Sequence, residues 1–166
     1  MEQLEEAKGQ LSAQSESDPL TGLCRRHKFD QLFENELVRS RCLGYQLLIV
    51  MFNLNHFRRI NDLFGHAAGD AVLQALADRF RAYLRQNDVI TRIGDTFLIL
   101  LPETPQEQVK NTTEKIVQVI VETRTEYAGH ELQVEARVGA VCYPIDGDNT
   151  KSLLDAAEKA MSAVNN

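Results

Sequence analysis

The segment Gln46–Leu54 (QLLIVMFNL) constrains the chain more than any other. It is apolar almost throughout and of strand length, so it reads as a strand buried on both faces. It falls far short of the roughly 20 apolar residues that a membrane span needs. The surrounding pattern interleaves helices with strands. Phe29, Leu32, Phe33, Leu37 and Val38 lie at helical spacing, and Gly44 ends that helix. A short helical turn over 56–64 and a long amphipathic helix from Gly69 to Leu84 follow the central strand.

Val89–Arg92 and Phe97–Leu101 read as two short strands joined through Ile93-Gly94-Asp95-Thr96, which is hairpin length and chemistry. Val109, Thr113, Ile116, Val117 and Ile120 mark another helix. Residues Leu132 to Cys142 alternate as one half-buried strand, Tyr143–Asn149 form a loop, and Leu153 to Val164 close with a helix. This order predicts an α/β sandwich with a ferredoxin-like core. Residues 1–17 are polar and acidic with a weak heptad stripe of Leu4, Ala7 and Leu11. They read as a helical linker or an added tail ahead of the domain at 18–166.

The charge sum, 18 − 24 = −6, argues against nucleic acid and anionic membrane as partners, since both select a basic face. Three cysteines without a CxxC pair indicate neither a disulfide framework nor a zinc knuckle, and a reducing cytoplasm is the simplest placement. His27, His56 and His130 have no ligand spacing. Asp146-Gly147-Asp148 reads as a turn, because the rest of a calcium loop is missing.

Four segments together resemble the GGDEF family, the diguanylate cyclases of bacterial signalling. Asp18-Pro19-Leu20-Thr21-Gly22-Leu23 matches the DxLTGL entry motif. Asn53–Asp70 (NLNHFRRINDLFGHAAGD) follows the pattern DxDxFKxxND-x-x-GHxxGD, with His66 as its structural histidine. Arg92–Phe97 (RIGDTF) stands at RxGGDEF, and Ala157–Asn165 at ADxALYxAK. The resemblance implies a βααββαβ core around a mostly antiparallel sheet. It implies a reaction that joins two GTP molecules into cyclic di-GMP, across two paired domains, with carboxylate-held metal ions.

Against that pattern the chemistry of the site is depleted. The DxD positions hold Asn53 and Asn55, Thr96 stands for the Glu of GGDEF, and Asn165 and Ser162 replace the Lys and Tyr of the closing motif. Asn53, Leu54 and Asp95 mark the vestigial metal positions, and Asp95 is the remaining catalytic carboxylate. Two readings of the hairpin stay open: one glycine of the pair is deleted, or Ile93 stands at the first glycine and crowds the turn. Each lost group removes on the order of 10²–10³ in rate, so the domain is expected to be weak or dead as a cyclase.

Recognition chemistry is retained. By resemblance, Asn61 and Asp70 contact the guanine edge, and Phe57 and Arg58 face the phosphates at a helix start. Mg²⁺ is expected only with bound GTP. Arg85-Gln86-Asn87-Asp88 fits the family's RxxD inhibitory site for cyclic di-GMP, with Lys115 as a second basic group. The leading expectation is a regulatory or nucleotide-sensing module, in the cytoplasm or in the cytoplasmic part of a larger membrane-bound sensor. It would work with other domains of a larger protein or as a homodimer. The alternatives are a diguanylate cyclase with an atypical metal site on Asp95, and a dimerisation scaffold without ligand.

Overall fold

The computed structural model describes residues 17–163; the expectations for residues 1–16 and for Asn165 lie outside them. The elements run α1 (Arg26–Leu43), β1 (Leu47–Leu54), α2 (Phe57–Phe64), α3 (His66–Tyr83), β2 (Val89–Ile93), β3 (Thr96–Pro102), α4 (Val109–Glu122), β4 (Arg124–Tyr127), β5 (His130–Gln133), β6 (Ala136–Tyr143) and α5 (Thr150–Ala163). Four strands form one antiparallel sheet in the order β2-β3-β1-β6. This is the ferredoxin-like arrangement that the order of elements predicts.

The apolar run lies at the middle of this sheet as β1, between β3 and β6. Its side chains alternate between two cores. Leu48, Val50, Phe52 and Leu54 pack with Val72, Leu76 and Phe80 of α3 and Ile116 and Ile120 of α4. Leu47, Ile49 and Met51 pack with Phe29, Phe33 and Leu37 of α1 and Leu153, Ala157 and Met161 of α5. Helices on both faces explain why the strand has no polar side until Asn53.

The expected single strand from Leu132 to Cys142 is corrected. Arg124–Tyr127 and His130–Gln133 form a separate two-stranded ribbon, and β6 starts only at Ala136. The ribbon turns through Ala128 and Gly129, both at positive φ (51° and 82°), as a two-residue primed hairpin requires. Leu132, Val134 and Val138 all reach the same core, so the period of two continues across the break. At the break the Glu135 carbonyl accepts from the Asn55 backbone N–H (2.8 Å).

The DPLTGL segment is tied to the hairpin by a half-closed ion pair. Arg92 Nε donates to Asp18 Oδ2 at 2.8 Å, and Thr21 Oγ1 and the Leu20 N–H donate to the same carboxylate. Burial alone would raise the Asp18 carboxyl; the hydrogen bonds from Arg92, Thr21 and Leu20 and the Arg92 charge outweigh it and hold it below its ordinary 3.8. A depressed folded value means that this stabilisation is present above the unfolded pKa and is lost as pH falls through the folded one. Asp18→Asn is expected to cost about 1.5–3 kcal/mol at neutral pH. In thermal melts the gap to the parent should close as the medium is acidified below the ordinary carboxylate range; a gap constant with pH would contradict the assignment.

Candidate functional site

Two features meet at the end of β1: a polar network across the sheet and a cleft beside it. Ile93 pairs with Thr96, so the β2–β3 turn consists of Gly94 and Asp95 alone. Gly94 opens the turn at φ +64°, a conformation that favours glycine. Ile93 lies in the strand and does not crowd the turn. The Asp95 carbonyl accepts from the Leu54 N–H (3.1 Å), which pins the turn against β1.

Thr96, Asn53 and Arg137 are direct neighbours across β3, β1 and β6. Arg137 Nη2 donates to Asn53 Oδ1 at 2.9 Å. Asn53 Nδ2 donates to Asp95 Oδ1 and to Thr96 Oγ1, each at 3.0 Å. The chemistry fixes the amide orientation, because a guanidinium only donates and a carboxylate only accepts.

These residues do not fit a divalent cation. Mg²⁺ takes oxygen lone pairs in near-octahedral geometry. Here the Asn53 oxygen already accepts from Arg137, and the amide turns its N–H donors toward Asp95 and Thr96. Asp95 supplies the one carboxylate of the network. Two like unit charges 4 Å apart repel by about 4 kcal/mol at an effective dielectric of about 20, and a divalent ion doubles that. Among the described residues no group of three or more His, Cys, Asp or Glu side chains could hold a metal ion.

The adjoining cleft has a volume of about 540 Å³, within the range of small-molecule sites. Phe57, Arg58, Asn61 and Asp70 all line it, together with Arg92 and Asp95. The structure thus gathers the four substrate-binding residues expected from the sequence. Asn61 on α2 and Asp70 on α3 meet because these helices are joined at Gly65. Helix α2 starts at Phe57, and the backbone N–H groups of Arg59 and Ile60 donate to His56 O (3.0 and 3.4 Å).

Gly69 allows the close approach of α2. A Cβ there would overlap Asn61 Oδ1 and come within 2.9 Å of Phe57 Cζ. Both are movable side-chain ends, so Gly69→Ala should leave the fold intact while displacing Asn61. An affinity loss of tenfold or more for a guanine nucleotide, with an unchanged circular dichroism spectrum, is the expected result in a calorimetric titration. Unchanged affinity would place the base elsewhere.

The RxxD pair lies apart from this cleft. Arg85 Nε donates to both oxygens of Asp88 (3.1 Å each), Nη2 donates to Oδ1 (2.9 Å), and the Arg85 backbone N–H donates to Oδ2 (2.8 Å). Arg85 Nη2 also reaches Pro102 O and Thr104 Oγ1. The Asp88 side chain is 2% exposed and that of Arg85 55%. The aspartate is therefore enclosed by its own arginine. Lys115 is exposed on α4.

Sequence reasoning missed Arg137 and Arg92. Arg137 alternates with core residues along β6 and so reads as a solvent residue. Its row, however, continues that of Met51 on the face covered by α1 and α5. Only the pairing of β6 with β1 places it on that face.

An antiparallel sheet covered by helices on both faces, with a cleft between α2, α3 and the β2–β3 turn, is the architecture of nucleotidyl-cyclase-like domains. The family model for "Diguanylate cyclase, GGDEF domain" matches residues 15–166, and the chain belongs to this family. It is 34% identical over 162 residues to the cyclic di-GMP phosphodiesterase NbdA of Pseudomonas aeruginosa, covering 97% of this chain and 21% of that protein. It is also 34% identical over 147 residues to the diguanylate cyclase DgcP of the same organism, covering 87% and 22%. The chain thus spans about a fifth of the length of these relatives. Among solved structures, a sensory box/GGDEF family protein of Caulobacter crescentus superposes with a TM-score of 0.85 at 27% identity, covering 90% of this chain and 97% of that one. Among the described residues no helix is long and apolar enough to cross a membrane.

Proposed function

We propose that this GGDEF domain does not turn over GTP and instead binds a guanine nucleotide as a regulatory module of cyclic di-GMP signalling. The observation that carries this reading is the Arg137–Asn53–Asp95 network, which uses up the groups that a metal-dependent phosphoryl transfer would require. In-line transfer from GTP needs charge neutralised at the phosphates and a hydroxyl activated at the attacking end. A single carboxylate hydrogen-bonded to an amide supplies neither.

The cleft keeps its recognition groups. Asp70 can accept from the N1 and N2 donors of guanine, and the Asn61 amide can donate to O6. Arg58 lines the same cleft and provides positive charge for phosphate, whereas Arg92 beside it is paired with Asp18. Cyclic di-GMP at Arg85 and Asp88 is the weaker reading, since a guanine edge reaches Asp88 only after Arg85 swings away. The domain would act through a partner domain or a second copy.

Calorimetry with GTP, ATP and cyclic di-GMP tests this reading. GTP binding with ATP at least tenfold weaker is expected, unaffected by Arg85→Ala. Binding of cyclic di-GMP alone, abolished by Arg85→Ala, would transfer the function to the RxxD pair. Silence with all three would leave a protein-docking scaffold.

A further inference from the structure

We propose that Arg137 is the resident cation of this site, its guanidinium serving at Asn53, and through that amide at Asp95, in place of a divalent ion. The inference deepens the reading of the cleft as a guanine-nucleotide site and rests on it in one respect: the bound form is nucleotide free of divalent metal.

Thr96, Asn53 and Arg137 stand side by side on three adjacent strands, so their spacing is set by the sheet and not by loop conformation. Only one hydrogen-bond orientation satisfies them. The guanidinium takes the amide oxygen, and the amide N–H groups go to Asp95 and Thr96. Arg137 Nε is buried and has no hydrogen-bond partner among the described residues. Among the described residues Arg137 belongs to no ion pair, and the acid of its network is Asp95, reached through Asn53. An ion entering here would have to displace Arg137 from Asn53 and reverse the amide.

A consequence separates this from mere loss of ligands. Restoring carboxylates at positions 53 and 96 should not restore metal binding while Arg137 stays. A carboxylate at 53 would instead pair with the guanidinium beside it.

The test follows free Mn²⁺ by electron paramagnetic resonance during titration of the folded chain. The parent and the Asn53→Asp/Thr96→Glu variant should show no sub-millimolar site. Adding Arg137→Ser to that pair should create one, at least tenfold tighter. If the triple variant is unfolded by circular dichroism, Arg137→Gln replaces Arg137→Ser, keeping a donor while removing the charge. Equal Mn²⁺ affinity with and without Arg137, or a folded triple variant that binds no better than the parent, would overturn the proposal. In a second arm, GTP is titrated into the parent in Mg²⁺ and in EDTA. Affinities within twofold are expected, and a tenfold dependence on Mg²⁺ would overturn it. Absence of GTP binding in both media would instead remove the nucleotide reading and leave the Mn²⁺ comparison decisive.

Discussion

Gly139→Ala should lower the stability of the domain by about 3 kcal/mol, the upper part of the usual cost of overpacking a core. Gly139 lies on β6 where α5 crosses it. A Cβ there would overlap the backbone N of Met161 and the backbone O of Ala157. Neither atom belongs to a side chain that can rotate away, so α5 itself must lift from the sheet. Lifting it loosens Leu153, Ala157 and Met161 from one of the two cores. For a chain of this size about 3 kcal/mol corresponds to a fall of roughly 6–12 °C in the thermal midpoint. A midpoint within about 2 °C of the parent would show that α5 is held less tightly than the contacts imply.

Asp70→Asn should weaken guanine nucleotide binding by about 10- to 100-fold, the loss of a hydrogen-bonded charge worth about 1.5–3 kcal/mol. The substitution keeps shape and hydration but replaces acceptors with an N–H₂ group that faces the donors of guanine. Asp70 is exposed on the first turns of α3 and belongs to no ion pair among the described residues. The fold should therefore be indifferent to the change. Selectivity for GTP over ATP should collapse together with affinity. An unchanged titration, or a loss shared equally with thermal stability, would remove Asp70 from base recognition.

Much of the fold was legible because the sheet's centre is written as an unbroken apolar run and its helices as regular stripes. The Leu132–Cys142 stretch was not, because periodicity reports which face a residue takes and not whether the ladder is continuous. Alternation survived the break at Val134 and Glu135, while the turn signal at Ala128-Gly129 passed unread. The cleft was legible from Asn61, Asp70, Phe57 and Arg58, which sit within one short segment. The network was only half legible. Asn53 and Thr96 announce lost charge, but Arg137 lies 84 residues from Asn53 and joins it only through strand pairing. The sequence likewise offered RxxD as a ligand pair, and in the fold its two members bond each other.

Turnover is the most direct measure of the central claim. The folded chain, at high concentration, would be incubated with GTP and either Mg²⁺ or Mn²⁺, and the products separated by chromatography. The account predicts intact GTP and no cyclic di-GMP or pyrophosphate. Accumulation of cyclic di-GMP beyond one equivalent per pair of domains would contradict it, and would mean that Asp95 supports catalysis despite the Asn53 amide bound to it and the guanidinium behind that amide.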